Sequence, residues 1–315
     1  MFGRLLILSF DEAKNLQSVE EFCCILQYNI YKLQNKAYEA DMTLYICRPF
    51  HTPHFKICSN DDKLLNSLCL QYGKYISKSP VSDTYDIEVI LQADNSYVIS
   101  HSEIQVITQN PLAEVDTIIF DNTTYAESVL ALHGSAVEWN ERAYLFLAPT
   151  GSGKTTLASY LTSSNFGYIT DDCILLDRNN LRVHPYNCPI HLRDGGLDIL
   201  KSLEKSPPEK QLIDDAIMRR YIYTPQNCIT DSLPLGGIYF IEHSDTQNSI
   251  QRLSTNENMI ELMKAPTTNY EITPDYLQFL ARLAKGMCRN LIYKDMDFVA
   301  GIIKKEGIHL EQSIH

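Results

Sequence analysis

Residues 148–156 of the chain are Ala148-Pro149-Thr150-Gly151-Ser152-Gly153-Lys154-Thr155-Thr156. An apolar run, Ala143–Leu147, precedes them, and helix-forming residues with apolar side chains at 157 and 161 follow them. The glycines at 151 and 153 let successive backbone N–H groups turn toward one anionic point, and the helix that follows presents its positive end to the same charge. Strand, glycine-rich loop and helix are the context that a phosphate-binding loop requires.

The side chains of the loop suggest its ligand. Lys154 places an ammonium on the outer phosphates of a nucleotide, and the Thr155 hydroxyl is a hard oxygen ligand for Mg²⁺. We therefore predict ATP and Mg²⁺ as cofactors, bound by Thr150, Gly151, Ser152, Gly153, Lys154, Thr155 and Thr156. Ala148 stands where the motif usually begins with glycine, and Pro149 favours an extended entry to the loop. The alternative is a turn rich in Gly, Ser and Thr that happens to contain a lysine.

Two adjacent carboxylates, Asp171 and Asp172, follow an apolar β-like segment about one helix and one strand after the loop. In phosphate-loop enzymes an acidic residue at the end of a neighbouring strand holds Mg²⁺ directly or through water. Adjacent side chains on a strand point to opposite sides, so one carboxylate can face the metal and the other the acceptor hydroxyl. The alternative is a solvated Asp-Asp turn.

Composition limits the partners. Lys plus Arg number 27 and Asp plus Glu number 39, which gives a formal net charge of −12 and argues against nucleic acid or an anionic membrane as the main partner. The nine cysteines form no Cys-x-x-Cys pair, so free thiols in a reducing compartment are expected. No apolar stretch approaches the roughly 18 residues that span a bilayer, and we expect a cytoplasmic protein. The oligomeric state stays open, with a homo-oligomer as one alternative.

Strands and helices mix along the chain, so the predicted class is α/β (α+β). We expect a β-rich accessory or substrate-recognition domain over residues 1–115 and a phosphate-loop catalytic domain over 116–315. The predicted strands are Leu5–Phe10, Thr43–Cys47, Ile87–Leu91, Tyr97–Thr108, Thr117–Phe120, Ser135–Glu138, Ala143–Leu147, Tyr168–Thr170, Ile174–Asp177 and Gly236–Glu242. The predicted helices are Glu20–Leu33, Tyr125–Leu132, Lys154–Leu161, Asp275–Gly286 and Met296–Lys304. Arg219-Arg220, after Asp214-Asp215, predicts ion pairs along a helix face, with contact to an acidic peptide as the alternative.

His133-Gly134-Ser135-Ala136, then the loop, then Asp171-Asp172 resembles the catalytic domain of HPr kinase/phosphorylase. That domain is itself similar to the core of phosphoenolpyruvate carboxykinase. The resemblance implies that Asp171 is the acid/base for an acceptor serine and that Asp172 is a metal partner. It also implies that His133 lies near the phosphate and that Lys154 binds it.

A second signature of that family resembles Ile190-His191-Leu192-Arg193-Asp194-Gly195-Gly196. Arg193 and Gly196 match it, and the resemblance implies that Arg193 meets a phosphate. His191 stands where the family has a metal-binding glutamate, and Asp194 replaces a glycine.

The resemblance covers residues 125 to 300, and it implies an ATP- and Mg²⁺-dependent kinase. The arginine-rich stretch with which HPr kinases engage their protein substrate has no counterpart, and the N-terminal part has no match. The chain therefore looks more like the kinases that phosphorylate a serine of a ribosomally made peptide precursor, such as those for lasso peptides. The expected acceptor is a Ser or Thr of a peptide or protein. The alternatives are a small-molecule kinase or phosphorylase of the same core and a nucleotide sensor without catalysis.

Overall fold

The structure, a computed structural model, describes residues 42–47, 54–77, 79–124, 128–205, 207, 211–214, 219–266 and 272–311. The chain divides into two compact units, Met1–Ile119 and Phe120–His315. The predicted strand Leu5–Phe10 and the predicted helix Glu20–Leu33 lie outside the described residues.

The first unit contains a five-stranded sheet in sequence order. Its strands are β1 (Met42–Ile46), β2 (His54–Ser59), β3 (Thr84–Leu91), β4 (Tyr97–His101) and β5 (Ile104–Thr108). Only the β2–β3 pair is parallel, and helix α1 (Asp62–Tyr72) makes that crossover. A short 3-10 turn, Gly73–Tyr75, follows the helix. The single strand predicted over Tyr97–Thr108 is a hairpin instead, because the chain turns at Ser102, which has a φ of 48°.

Helix α2 (Pro111–Thr124) corrects the prediction of a strand at Thr117–Phe120. Val115, Ile118 and Ile119 are buried, and their spacing places them on one face of a helix. Pro111 is tolerated in the first helical turn, where its missing N–H has no intrahelical acceptor. The short apolar run was therefore part of a helix face and not a buried strand.

The second unit is built around an eight-stranded sheet with the order β10-β9-β6-β7-β14-β16-β15, in which β8 also pairs with β6. Strand β10 pairs with β14 as well, so part of the sheet closes on itself. The strands are β6 (Val129–Trp139), β7 (Arg142–Leu147), β8 (Gly167–Thr170), β9 (Cys173–Asp177), β10 (Arg182–His184), β14 (Leu233–His243), β15 (Ser249–Gln251) and β16 (Cys288–Tyr293).

Helices cover both faces of this sheet. They are α3 (Lys154–Thr162), α4 (Asp194–Ser202), α5 (Thr255–Lys264), α6 (Pro274–Gly286) and α7 (Met296–Glu311). Strand β7 is therefore buried on both faces. Leu145 and Leu147 pack in one core with α5 and α6, and Tyr144 and Phe146 pack in the other core with α3 and α7. A strand buried on both faces reads as a continuous apolar run.

The same continuous burial explains a wrong prediction at Tyr125–Leu132, which we expected to be helical. From Val129 onward these residues belong to β6, and Val129 through Leu132 are all buried. The strand then continues through the predicted strand Ser135–Glu138. Short apolar runs without alternation do not distinguish a buried strand from a buried helix.

A three-stranded antiparallel sheet completes the second unit, with the order β11-β13-β12. Its strands are β11 (Ile190–Leu192), β12 (Gln211–Asp214) and β13 (Arg219–Tyr223). The predicted helix-face pairing at Arg219-Arg220 is therefore wrong: Asp214 lies opposite Arg219 across two strands.

The β6–β7 hairpin positions the loop. Its turn has positive φ angles at Asn140 (50°) and Glu141 (57°), as a two-residue hairpin connection requires. Gly134 lies opposite Leu147 in the register, so β6 reaches the loop where β7 enters it. A Cβ on Gly134 would lie 2.6 Å from the carbonyl oxygen of Phe146 and 2.8 Å from Ile174. Only glycine therefore fits this close approach of two strands.

We predict that Gly134→Ala lowers the free energy of unfolding by about 1–3 kcal/mol, the usual cost of overpacking. Urea denaturation measures it. Gly301→Ala is the control, because a Cβ there meets no atom within 4 Å and the position lies inside α7. The control should be neutral or stabilising, since alanine is the better helix former. A Gly134→Ala protein as stable as the wild type would contradict the close packing.

Candidate functional site

The loop between β7 and α3 is shaped by its own polar groups. The Ser152 hydroxyl donates to the Pro149 carbonyl at 2.7 Å, and the Ser152 N–H donates to the same oxygen at 3.3 Å. Gly151 has a φ of 86° and Gly153 a φ of 92°, values that strain any other residue. Gly153 provides no side-chain cap to α3, so the first N–H groups of that helix lack a capping acceptor. These features fit a backbone nest for an anion.

Lys154 lies inside this loop. Its side chain is nearly buried, and Nζ donates to the carbonyls of Ala148 at 2.7 Å and Pro149 at 3.0 Å. Burial lowers the pKa of Lys154, and the charges of Asp172 and Asp171 oppose that shift. A phosphate oxygen is a stronger acceptor than a neutral carbonyl. The ammonium is thus already positioned for an anion that enters the loop.

The structure places Asp171 and Asp172 in the connection between β8 and β9. Burial, followed by the charge of Asp172, raises the pKa of Asp171 to about 7. A hydrogen bond from Thr155 and the charge of Lys154 act in the opposite direction. The Oδ1 atom of Asp171 is buried without a hydrogen-bond partner among the described residues. A carboxylate that titrates near neutral pH is suited to accept a proton from a hydroxyl group.

His133 is located where β6 changes its partner from β9 to β8. Its Nδ1 atom lies 3.5 Å from Oδ1 of the exposed Asp172. Burial and the charge of Lys154 lower the pKa of His133, while Asp172 raises it. Its Nε2 atom is buried and has no hydrogen-bond partner in the described part of the chain. His133 therefore presents a neutral imidazole beside the loop.

Of the predicted site residues, the structure brings together His133, Lys154, Thr155, Asp171 and Asp172. Thr155 lowers the pKa of Asp171 as a hydrogen-bond donor, whereas the sequence suggested that it shares a metal with Asp172. A metal bound by Thr155 would have to replace that hydrogen bond.

Arg193 is placed differently. It is the exposed residue that precedes α4, and within the described ranges no hydrogen bond or ion pair joins its side chain to the loop. Helix α4 itself does reach α3, because a Cβ on Gly196 would lie 2.7 Å from Oγ1 of Thr156. The role of Arg193 toward phosphate stays a prediction.

Arg220 was predicted to lie on a helix face and not in a strand. It lies in β13, and its charge acts on His191 in the neighbouring strand, as does that of Asp172. The signal was available, since Tyr221, Ile222 and Tyr223 are strand-forming residues directly after the arginines. The acidic residues before them suggested a helix face instead.

A cleft of about 1430 Å³ opens beside the loop. It lies at the carboxyl ends of the parallel strands β7, β14 and β16, the edge where ligands bind in α/β sheets. His133 and the loop form part of its lining. Its other lining residues include Tyr160, Ile199, Leu203, Phe240, Glu257, Lys264, Tyr293 and Lys294. The cleft has the volume and the mixed polar and apolar lining that a nucleotide needs.

The residues present fit a nucleotide with its magnesium better than a metal held by protein alone. Within the described residues, no group of three or more His, Cys, Asp or Glu side chains is close enough to hold a metal. Mg²⁺ in nucleotide sites uses one or two carboxylates, waters and the phosphates themselves. Asp172 supplies one such carboxylate, and its side chain is exposed.

Comparisons with known proteins add little to this geometry. No family model and no curated protein matches the chain. Among solved structures, the HPr(Ser) kinase/phosphatase from Coxiella burnetii is similar over 59% of this chain and 99% of that chain. The sequence identity is 8% and the TM-score is 0.29, values that do not establish a shared fold or activity.

Among the described residues, none of the helices combines the length and the apolar character that crossing a bilayer requires.

We predict that Asp171→Asn stabilises the ligand-free protein in a pH-dependent way. The folded-state pKa of Asp171 is raised to about 7, so ionising this residue costs stability as the pH rises from about 4 to about 7. Asparagine removes that cost. The difference in Tm between variant and wild type should therefore grow over that range and level off above it.

Thermal denaturation at a series of pH values measures this, and Asp198→Asn, an exposed carboxylate on α4, is the control. A Tm difference for Asp171→Asn that does not vary with pH would show that Asp171 is not held in its protonated form by burial.

Proposed function

We propose that this chain is a phosphotransferase that uses ATP and Mg²⁺ to phosphorylate a Ser or Thr hydroxyl of a peptide or protein. One observation carries the proposal: Asp171, whose Oδ1 atom is buried and whose pKa is raised to about 7, lies within electrostatic reach of the lysine of a phosphate-binding loop. Binding phosphate requires only the loop. A proton acceptor beside the phosphate is what transfer to a hydroxyl adds.

The donor would be bound by the loop and the cleft. Backbone N–H groups of Gly151 through Thr156 and the Lys154 ammonium receive the phosphates, and the cleft at the carboxyl ends of β7, β14 and β16 receives the nucleoside. Thr155 and Asp172 would hold Mg²⁺, which when bound neutralises charge on the outer phosphates. Since Asp172 is 87% exposed in its side chain, it is free to approach a cation.

The transfer step follows from the same residues. Asp171 accepts the proton of the attacking hydroxyl group. At the same time the hydroxyl oxygen forms a bond to the γ-phosphorus. The bond from that phosphorus to the bridging oxygen breaks, and ADP leaves with that oxygen. Lys154 stabilises the negative charge on the phosphoryl group. The neutral imidazole of His133 lies beside the loop, where its N–H can donate to one of the phosphoryl oxygens. Asp171 must be ionised to act, so activity should rise toward and above neutral pH.

A nucleotide sensor is the main alternative. A sensor needs the loop but gains nothing from a carboxylate buried beside the phosphates, because its ionised form repels them. The placement of Asp171 therefore favours catalysis. Transfer to a small molecule would use the same residues, and the experiment below separates the two kinds of acceptor.

The acceptor class rests on the first unit and on the sequence resemblance to peptide kinases. A five-stranded sheet is more than a small metabolite requires for its recognition, and the edge of a sheet can bind an extended chain. Strand β5 ends that sheet as described, with exposed Ile104 and Ile107. We propose that a peptide is held in part by this unit.

The full chain should transfer the γ-phosphoryl group of labelled ATP to a mixture of Ser-containing peptides and not to free serine. Lys154→Gln should lower the rate of phosphoryl transfer by about 10²-fold or more, because it removes the positive charge that stabilises the transferring phosphoryl group. Lys201→Gln, an exposed lysine paired with Asp198, is the control and should leave it unchanged. Mass spectrometry detects phosphopeptides.

Three outcomes distinguish the alternatives. Phosphoserine without phosphopeptide would move the acceptor to the small-molecule class. ATP binding without transfer to either acceptor would favour the sensor. Hydrogen exchange in the presence of a phosphorylated peptide should be slowed in β1–β5, and unchanged exchange there would remove the first unit from peptide binding.

A further inference from the structure

The cleft beside the loop is larger than one ligand needs. Its volume of about 1430 Å³ exceeds the roughly 300–1,000 Å³ of an ordinary ligand pocket. Part of its lining belongs to the core that contains α5, as Phe240 and Ala265 do, and we call this part the α5 lobe. Another part belongs to the core that contains α3 and α7, as Tyr160 and Tyr293 do, and we call it the α3 lobe. The two lobes lie on opposite faces of the sheet and meet at the loop.

The α5 lobe adjoins the carboxylate pair. The His133 N–H donates to the carbonyl of Ala265 at 2.6 Å, and Leu132 forms a β-bridge with Pro266. The end of α5 is therefore attached to the strand that carries His133, whose Nδ1 atom lies 3.5 Å from Oδ1 of Asp172. A hydroxyl group that enters this lobe reaches the side of the loop where the carboxylates lie.

The α3 lobe lies on the other side of the loop. In the sheet, β6, β8 and β9 are on one side of β7, and β14 and β16 are on the other. The Tyr293 hydroxyl, at the end of β16, lies 3.3 Å from the position that a Cβ on Gly153 would occupy. The Tyr160 hydroxyl donates to Oδ1 of Asp297 at 2.5 Å, which joins α3 to the start of α7. This lobe therefore extends from the loop along α3, away from the carboxylates.

Two exposed apolar side chains border the α3 lobe. Ile199 on α4 is 46% exposed, Leu203 just after α4 is 44% exposed, and both line the cleft. Another part of the rim is the connection between β16 and α7. Asn248 holds this connection by donating to Asp295 and accepting from the N–H of Lys294, both at 2.7 Å. Exposed apolar side chains in a concave site suit the flat ring of a nucleobase, because the ring covers them from water.

We propose, on the basis of the proposed function, that the two lobes are separate subsites, with the nucleoside of the donor nucleotide in the α3 lobe and the acceptor in the α5 lobe. The triphosphate extends across the loop with its γ-phosphoryl group toward His133 and Asp172, and the base packs against Ile199 and Leu203. A purine is the expected base, because its larger ring buries more apolar surface than a pyrimidine does. The reverse orientation would place the γ-phosphoryl group beside Tyr293, away from the carboxylate pair.

Inorganic tripolyphosphate separates the contribution of the nucleoside from that of the phosphates, because it carries only the phosphate chain. In calorimetry with Mg²⁺, the double variant Ile199→Ser, Leu203→Ser should bind ATP about tenfold more weakly than the wild type, since it loses apolar surface that the base covers. Its affinity for tripolyphosphate should be unchanged.

Ile260→Ser is the matched control and should alter neither affinity. Ile260 is 55% exposed on α5 and lies outside the cleft lining that the described residues form. Unchanged ATP affinity in the double variant, or an equal loss of affinity for both ligands, would overturn the placement of the base.

The position of the base is also tested by photolabelling. The full chain is irradiated with 8-azido-ATP and Mg²⁺, and the labelled peptide is identified by mass spectrometry. We expect the label in α4 or in residues 293–297, and excess ATP should prevent the labelling. Label outside the α3 lobe, for example in α5, would overturn the proposal.

The acceptor lobe is tested by narrowing it. Glu261 lines the cleft, and its side chain is 38% exposed. Glu261→Trp should raise the KM for the Ser-containing peptides severalfold and leave the KM for ATP unchanged, because the added ring obstructs the acceptor alone. Ile260→Trp places the same ring outside the lining and should change neither KM. An unchanged KM for the peptides, or a raised KM for ATP, in Glu261→Trp would contradict the assignment of this lobe.

The same measurements separate this inference from the proposed function. A wild type that binds neither ATP nor tripolyphosphate would reject the proposed function itself. ATP binding with the label in α5 would reject the assignment of the lobes alone.

Discussion

The pairing of β6 with β7 is the constraint on which the site depends. Gly134 has no side chain where the backbone of Phe146 approaches, and this lets β6 lie against β7 up to the first residue of the loop. There β6 changes partner, and the Gly134 N–H donates to the carbonyl of Asp172 at 3.3 Å. The Ser135 hydroxyl donates to the Lys154 carbonyl at 3.4 Å. One short segment therefore sets the distance between the loop and the carboxylates.

The electrostatics of the site follow from that packing. Lys154 is buried among carbonyl groups, and the Oδ1 atom of Asp171 is buried without a hydrogen-bond partner among the described residues. Water solvates both charged groups poorly, and this favours their neutral forms. The pKa of Lys154 is therefore lowered and the pKa of Asp171 is raised. A bound phosphate would supply a charged partner for Lys154, and an acceptor hydroxyl would supply one for Asp171. Groups arranged in this way need little reorganisation when the charge of the reaction develops.

Much of this could be predicted from the sequence, and the remainder could not, for physical reasons. Local rules specify the loop, because positive φ angles at 151 and 153 require glycine and Lys154 starts a helix. The β6–β7 hairpin and the positions of Asp171 and Asp172 also follow from local patterns. The sequence predicted a helix where the strand at Val129 begins and a strand where helix α2 contains Thr117–Phe120. Both predictions were wrong because short apolar runs do not distinguish a buried strand from a buried helix face. Arg219 lies opposite Asp214 through cross-strand pairing, which no local pattern reveals.

If the carboxylate pair faces the phosphates bound in the loop, the binding of ATP and the binding of Mg²⁺ must be linked. Calorimetry would compare the affinity for ATP with and without Mg²⁺ in the wild type, Asp172→Asn and Asp171→Asn. We expect Mg²⁺ to raise the wild-type affinity about tenfold or more, a typical coupling between two ligands. Asp172→Asn should lose most of that increase, and Asp171→Asn should keep it. A wild-type affinity that ignores Mg²⁺, or two variants that respond alike, would contradict the account.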